Sequence, residues 1–210
     1  REGTLFGNIL INRYLKNTHW ARNAFSEEDV KRFNRTVDLF RKFASRYDFD
    51  YLMVTALGYQ ESGLDQKKRS PAGAIGIMQL LKSTAANDPI NIPDIEKVDR
   101  NIHAGTKYLR YIYDQYFAQT DMDKAEKVLF TFASYNAGPN RITDIRGKTA
   151  KMGLDPNKWF GNAEVAAARY IGRETVQYVS NIFKYYLAYS QILSTEQERE
   201  HLKEEIAHRK

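Results

Sequence analysis

The stretch Tyr51–Gly63, YLMVTALGYQESG, decides how this chain is read. From Tyr51 to Gly58 it carries no charge, and the first acid, Glu61, stands where the apolar run stops. Asp50 can cap a helix beginning there, and Gly63 is a natural place for it to end. Residues three, four and seven positions before Glu61 are Gly58, Leu57 and Val54, so its carboxyl belongs to an apolar helix face. Burial against such a face disfavours the ionised form, and the negative end of the helix dipole acts in the same direction. Both effects raise the pKa toward the range in which a carboxylic acid donates a proton near neutral pH. On position alone the plainer reading is a boundary residue that reaches solvent.

Working outward, helical periodicity dominates. Ser26 is a plausible N-cap, and Val30, Phe33, Val37, Phe40, Ala44 and Tyr47 follow at three- and four-residue steps. SPAGAIG, residues 70–76, reads as a loop before a short helix from Met78 to Ala86. Beyond a proline-containing stretch, Ile102, Gly105, Leu109, Ile112 and Tyr116 mark another helix side. A further helix, roughly Lys124 to Tyr135, ends at NAGPN. Val176, Val179, Ile182, Phe183, Tyr186 and Leu187 form the buried stripe expected between Arg173 and Ile192. A charged tail, 193–210, has a second capping signature from Thr195 to Glu198 and reads as a solvated helix. No convincing strand alternation or repeat is present, so the fold class is mainly α.

At 210 residues the chain suits one domain, here 26–192, with appendages. The irregular residues 1–25 and the start at Arg1 are read as a connecting segment from an upstream domain. The absence of cysteine excludes disulfides, thiol catalysis and a cysteine-based zinc site. His19, His103, His201 and His208 form no recognised ligand spacing, so no metal is expected. A formal charge of +6 favours an anionic partner. Lysine and arginine are scattered, however, with no arginine-rich arm or zinc-finger spacing, and no nucleic acid is expected.

ES at 61–62, SPAGAIGIMQ at 70–79, NIHAGTKYL at 101–109, SYNAGPNRI at 134–142 and ETVQYV at 174–179 occur in that order. Together they resemble the goose-type lysozyme-like domain of soluble lytic transglycosylases, over residues from about Tyr47 to Tyr189. LDPNKWFGN, Leu154 to Asn162, is most similar to the catalytic domain of the membrane-bound F subfamily, in which a solute-binding-like regulatory domain precedes it. The resemblance implies a helical, lysozyme-like domain with a substrate groove. It also implies cleavage of the β-1,4 bond between N-acetylmuramic acid and N-acetylglucosamine in peptidoglycan, with a 1,6-anhydromuramic product. Localisation would be periplasmic and associated with the outer membrane, and no cofactor is called for.

Carried over residue by residue, Glu61 becomes the single acid and base. A substrate that attacks itself can dispense with the second carboxylate of ordinary retaining glycosidases. Ser70, Gln79, Tyr135, Asn136, Glu174 and Tyr178 are implied substrate contacts. Ser62, Gly73, Gly76 and Met78 are read as structural near the site, and Tyr135 could equally plug the core. Many relatives carry a methionine and then proline-glycine after the glutamine, where this chain has LLKST, Leu80 to Thr84. Leu81 is therefore expected to alter affinity for the sugar and not the chemistry, while Thr84 keeps a family position. Rival readings are a lysozyme-like hydrolase, a catalytically inactive peptidoglycan-binding module and a basic nucleic-acid binder.

Overall fold

A computed structural model of the chain describes residues 25–208, with side chains to residue 193 except at 192. The connecting segment expected at 1–25 therefore lies, but for Phe25, outside the described residues. No strand occurs among the described residues, and the fold is mainly α.

Helix α1, Glu27–Arg46, starts at Ser26 through a reciprocal capping box with Asp29. It buries Phe33, Val37, Phe40 and Ala44 along one face, with Val30 and Tyr47 half-exposed at its two ends. Helix α2, Tyr51–Ser62, is capped by Asp50, whose carboxylate accepts from Leu52 N at 2.8 Å and Met53 N at 3.2 Å. Every residue from Val54 to Gly58 is buried, as a helix packed on more than one side requires. Gly58 lets α1 come close: a Cβ there would lie 3.0 Å from Phe40 Cζ and 3.2 Å from Ile77 Cγ2. Gly63 ends α2 in the left-handed region, at φ 67°.

The helix expected from Met78 is shorter than its sequence suggests: α3 spans only Lys82–Ala86. Residues 78–80 are committed elsewhere. Leu80 exchanges backbone hydrogen bonds with Ile75 in an isolated bridge, and Gln79 has φ 45°. Helix α4, Val98–Ile112, buries Ile102, Gly105, Leu109 and Ile112 and continues into a π-helical turn, Tyr113–Phe117.

Helix α5, Lys124–Ala137, is capped by Asp123. The Gly-Pro pair that follows both stops α5 and starts another helix. Gly138 sits at φ 90°, and Pro139 opens α6, Pro139–Lys151, where its missing N–H has no partner to lose. A second π-helical turn, Trp159–Ala163, leads into α7, Glu164–Tyr170. The last helix, α8, runs unbroken over Arg173–His208. The charged tail expected over 193–210 is thus helical to His208 as a continuation of α8: residues 190–195 hold no glycine or proline, and backbone hydrogen bonding carries through the Thr195–Glu198 signature. The side chains of that tail lie outside the described residues.

Helices α1 and α8 both pack on α2, with α5 against α8. One core joins them, filled by Phe40, Leu57, Phe117, Phe130, Trp159 and Tyr189. A smaller cluster of Ile75, Leu80, Ile90, Ile92 and Ile95 backs the 66–80 loop. No helix among the described residues is long and apolar enough to cross a membrane.

Candidate active site

Because α2 is buried for most of its length, the side chain on its last turn projects at the edge of the core. A groove of about 370 Å³ opens there, lined by Gln60 and Glu61 of α2, Asn136 of α5, and Glu174, Gln177, Tyr178 and Asn181 of α8. Positions 174, 177, 178 and 181 are spaced to share one face of α8, so a single helix contributes a whole wall.

Burial pushes the Glu61 carboxyl up to about 7, against the lowering effects of the Tyr178 hydroxyl and the Lys68 ammonium. Tyr178 donates its phenolic hydrogen to Glu61 Oε1. The helix-end contribution expected from sequence is opposed locally, since Lys68 Nζ donates to the Glu61 carbonyl at 2.8 Å. Tyr178 is buried, and its hydroxyl is held far above its ordinary range by burial and by the adjacent Glu61 charge. Burial and Glu61 act in the same way on Tyr135. Two neutral phenols and one carboxyl therefore form a compact set in which only the carboxyl titrates near neutrality.

The structure divides the residues singled out in the sequence into two groups. Glu61, Asn136, Glu174 and Tyr178 meet in the groove, and Tyr135 lies against Glu61 behind it. The Tyr135 hydroxyl is spent on Met78 O at 2.7 Å, which pins the neighbouring loop to α5. Asn136 accepts from Thr175 Oγ1 at 2.8 Å, tying the end of α5 to the start of α8.

Ser70, Gly73, Gly76, Met78 and Gln79 belong instead to the 66–80 loop and do not line this groove. Ser70 Oγ accepts from Ala74 N at 3.0 Å and closes a turn. Gln79 Nε2 donates to Gly76 O at 2.8 Å and Lys68 O at 3.3 Å. Met78 is fully buried on Gly105, where an added Cβ would come within 2.6 Å of it. Ser62 is also buried: its hydroxyl donates to Ile77 O at 2.9 Å and accepts from Asp65 N at 3.2 Å. Gly73 is exposed at φ 85°, and Gly76 at φ 77° has no room for a side chain.

Sequence reading overlooked the side chains that hold this loop. Asn101 is fully buried and bonds Met78 N, Ile75 O and Ile95 O at 2.8, 2.8 and 3.0 Å. Gln66 donates to Ile95 O and Glu96 O and accepts from Ile77 N. Asn101 opens the NIHAGTKYL motif, and a polar residue on an apolar helix face was the available signal; Gln66 gave none. Glu126 was also missed: its buried carboxylate accepts from Trp159 N at 2.8 Å and is pushed up to about 7, chiefly by burial. It fixes the π-helical turn, away from the groove. A second depression, of about 250 Å³, is lined by Ser83, Thr84, Asn87, Tyr108 and Tyr111 among others. Tyr108, which lines it, packs 5.5 Å from Tyr135, whose hydroxyl feels the Glu61 charge. Among the described residues no group of three or more His, Asp or Glu could hold a metal ion.

Comparison with known proteins assigns the chain to a family. The profile of the family described as "Transglycosylase SLT domain" covers residues 38–160, more than half of the chain. Membrane-bound lytic murein transglycosylase F from Desulfosudis oleivorans is 32% identical over 198 residues, covering 84% of this chain and 42% of that protein. Its namesake from Vibrio cholerae is 30% identical over 208 residues, covering 86% and 38%. The chain thus spans less than half the length of these relatives.

Among solved structures, the 70 kDa soluble lytic transglycosylase SLT70 from Escherichia coli is 30% identical, with a TM-score of 0.59 over 74% of this chain and 24% of that one. An inactive Glu-to-Gln mutant of the lytic transglycosylase Slt from Pseudomonas aeruginosa is 25% identical, with a TM-score of 0.57 over 75% and 24%. The mainly α fold is the lysozyme-like one that the motifs imply. With its ordered motifs, its helical frame and a family profile matched across residues 38–160, the chain belongs to the transglycosylase SLT domain family.

Proposed function

We propose that this domain is a peptidoglycan lytic transglycosylase in which Glu61 serves as both acid and base. The observation that carries the reading is a carboxyl at a groove wall whose pKa is pushed to about 7 by burial. Neutral Glu61 protonates the glycosidic oxygen between N-acetylmuramic acid and N-acetylglucosamine as the bond breaks. The resulting carboxylate then takes the proton of the muramyl 6-hydroxyl as that oxygen closes on the anomeric carbon. The 1,6-anhydro product forms with no water consumed. The muramyl N-acetyl group stabilises the intermediate as an oxazolinium-like species. Tyr178 steadies the carboxylate between the two steps through its hydrogen bond to Oε1.

Substrate contacts follow from what each side chain has left to offer. Asn136 Oδ1 is taken by Thr175, which leaves its amide hydrogens for a sugar. Gln79 uses its nitrogen on the loop, leaving its carbonyl oxygen as an acceptor, and Ser70 keeps a hydroxyl hydrogen to donate. Glu174 and Tyr178 form the wall of the groove. Leu81, exposed at the start of α3, stands where many relatives carry methionine and tunes affinity for the sugar.

Relatives named membrane-bound support an extracytoplasmic, outer-membrane-associated setting for the full protein. Their greater length accommodates the solute-binding-like module implied upstream of residues 1–25.

The presence of Glu174 in the same groove favours one rival, a hydrolase in which a second carboxylate activates water. Digestion of purified sacculi followed by mass spectrometry separates the two. Anhydromuramic ends, lighter by one water, are expected; reducing ends alone would assign the chain to the hydrolases.

The Tyr178 bond also sets the pH profile. Because Glu61 must be protonated to act, cleavage falls as pH rises through about 7. The Tyr178 hydroxyl lowers that pKa by favouring the carboxylate, so Tyr178→Phe moves the basic limb to higher pH. Rate against pH for both proteins provides the check, and an unmoved limb would remove Tyr178 from control of Glu61.

A further inference from the structure

Glu61 stands in the last turn of α2, where the final backbone carbonyls have no partner inside the helix. The turn contains no basic residue of its own, and side chains from outside serve it instead. Arg32 Nη1 donates to Gly63 O at 3.2 Å, and Lys68 Nζ donates to Glu61 O at 2.8 Å.

The main chain of Lys68 is committed to the loop. Its N–H donates to Asp65 O at 3.2 Å, and its carbonyl accepts from Gly76 N at 3.0 Å and from Gln79 Nε2 at 3.3 Å. One residue therefore bonds the backbone of the acid through its side chain, and the loop bearing Ser70 and Gln79 through its main chain. The neighbouring Arg69 is spent on Gln66 O and Lys68 O, both at 2.9 Å.

Titratable groups face Glu61 from three elements: Tyr178 and Glu174 on α8, Tyr135 on α5 and Lys68 on the loop. Both phenols are held neutral by burial and by the Glu61 charge, so the Lys68 ammonium is the cation of the set. It is exposed, yet the Glu61 carbonyl fixes it, and it forms no ion pair with a described residue.

We propose that Lys68 is a positioning residue for glycan cleavage, its ammonium locking the last turn of α2 so that the Glu61 carboxyl meets the glycosidic oxygen in one orientation. This rests on the reading of Glu61 as the acid. A cation at that carbonyl also offsets the negative end of α2 and favours the carboxylate, so Lys68 works with Tyr178 against burial.

Lys68→Met keeps the length of the side chain and removes the ammonium. On soluble glycan strands its plateau kcat should fall about fivefold, the worth of one hydrogen bond. KM should hold, because Gln79 still bonds the main-chain carbonyl at position 68. Without the nearby cation the carboxyl keeps its proton to higher pH, so the basic limb of the rate profile should move up. Lys68→Arg, which retains donor and charge, should restore both. Lys67→Met removes an equal charge one residue away and should behave as the parent.

NMR of the Glu61 carboxyl carbon follows the same titration with no substrate present. A Lys68→Met variant with the parent's kcat and titration would overturn the proposal. An equal effect of Lys67→Met, or a fall in kcat matched by a lowered urea midpoint, would overturn it as well. Should the NMR titration move up while the rate profile stays, the Lys68 contact stands and the assignment of Glu61 as the acid fails.

Discussion

Glu61→Gln lowers the rate of glycan cleavage by roughly 10²- to 10⁴-fold, the range assigned to a positioned general acid and base. The amide has nearly the same shape and still accepts from the Tyr178 hydroxyl, so the groove keeps its form. It can neither release a proton to the glycosidic oxygen nor collect one from the 6-hydroxyl. Affinity for glycan is expected to change little, because the side chains proposed to hold the sugars are untouched. Muropeptide release from sacculi gives the rate, and retention on sacculi gives the affinity. A variant that cleaves at the parent rate would move the chemistry to another carboxyl, and Glu174 is the one that lines the same groove.

Asn101→Ala produces the largest expected loss of stability. The amide satisfies one backbone donor and two backbone acceptors, from Met78, Ile75 and Ile95, in a fully buried position. Alanine strands all three, at about 1 kcal/mol or more each, for a total of about 3–5 kcal/mol. Urea unfolding measures it as a lowered midpoint with an unchanged slope. The effect on cleavage should be disproportionate, because the same amide positions the loop that carries Ser70 and Gln79. A loss below about 1 kcal/mol would mean that water replaces the amide. Gly76 belongs to the same device: a Cβ there would meet Asn101 Nδ2 at 2.6 Å.

The legible parts of the fold were those in which one local rule governs one element. Ser26 and Asp50 cap helices because a short polar side chain next to an apolar period has little else to do. Gly-Pro at 138–139 was legible as a stop but not as a start, since the stop follows from the backbone alone while α6 depends on packing Ile142 and Ile145 into the core. The short α3 was misread for a related reason: residues 78–80 have no feature of their own that forbids helix, and their backbone is claimed by Ile75 across a tight turn and by the distant Asn101.

By itself the sequence determined that an acid would stand on an apolar helix face near its end, and that glycines would punctuate the loop that follows it. Those are properties of a few consecutive residues, fixed by helical spacing and by backbone sterics. Only the tertiary structure decided which side chains surround that acid. Tyr178 lies far along the chain from Glu61, and the groove wall it shares with Glu174 exists because α8 packs on α2. Spacing along one helix fixes which residues share a face. What that face meets, and hence how far burial outweighs hydrogen bonding in setting the Glu61 pKa, depends on helices brought together from across the chain by the burial of their apolar sides.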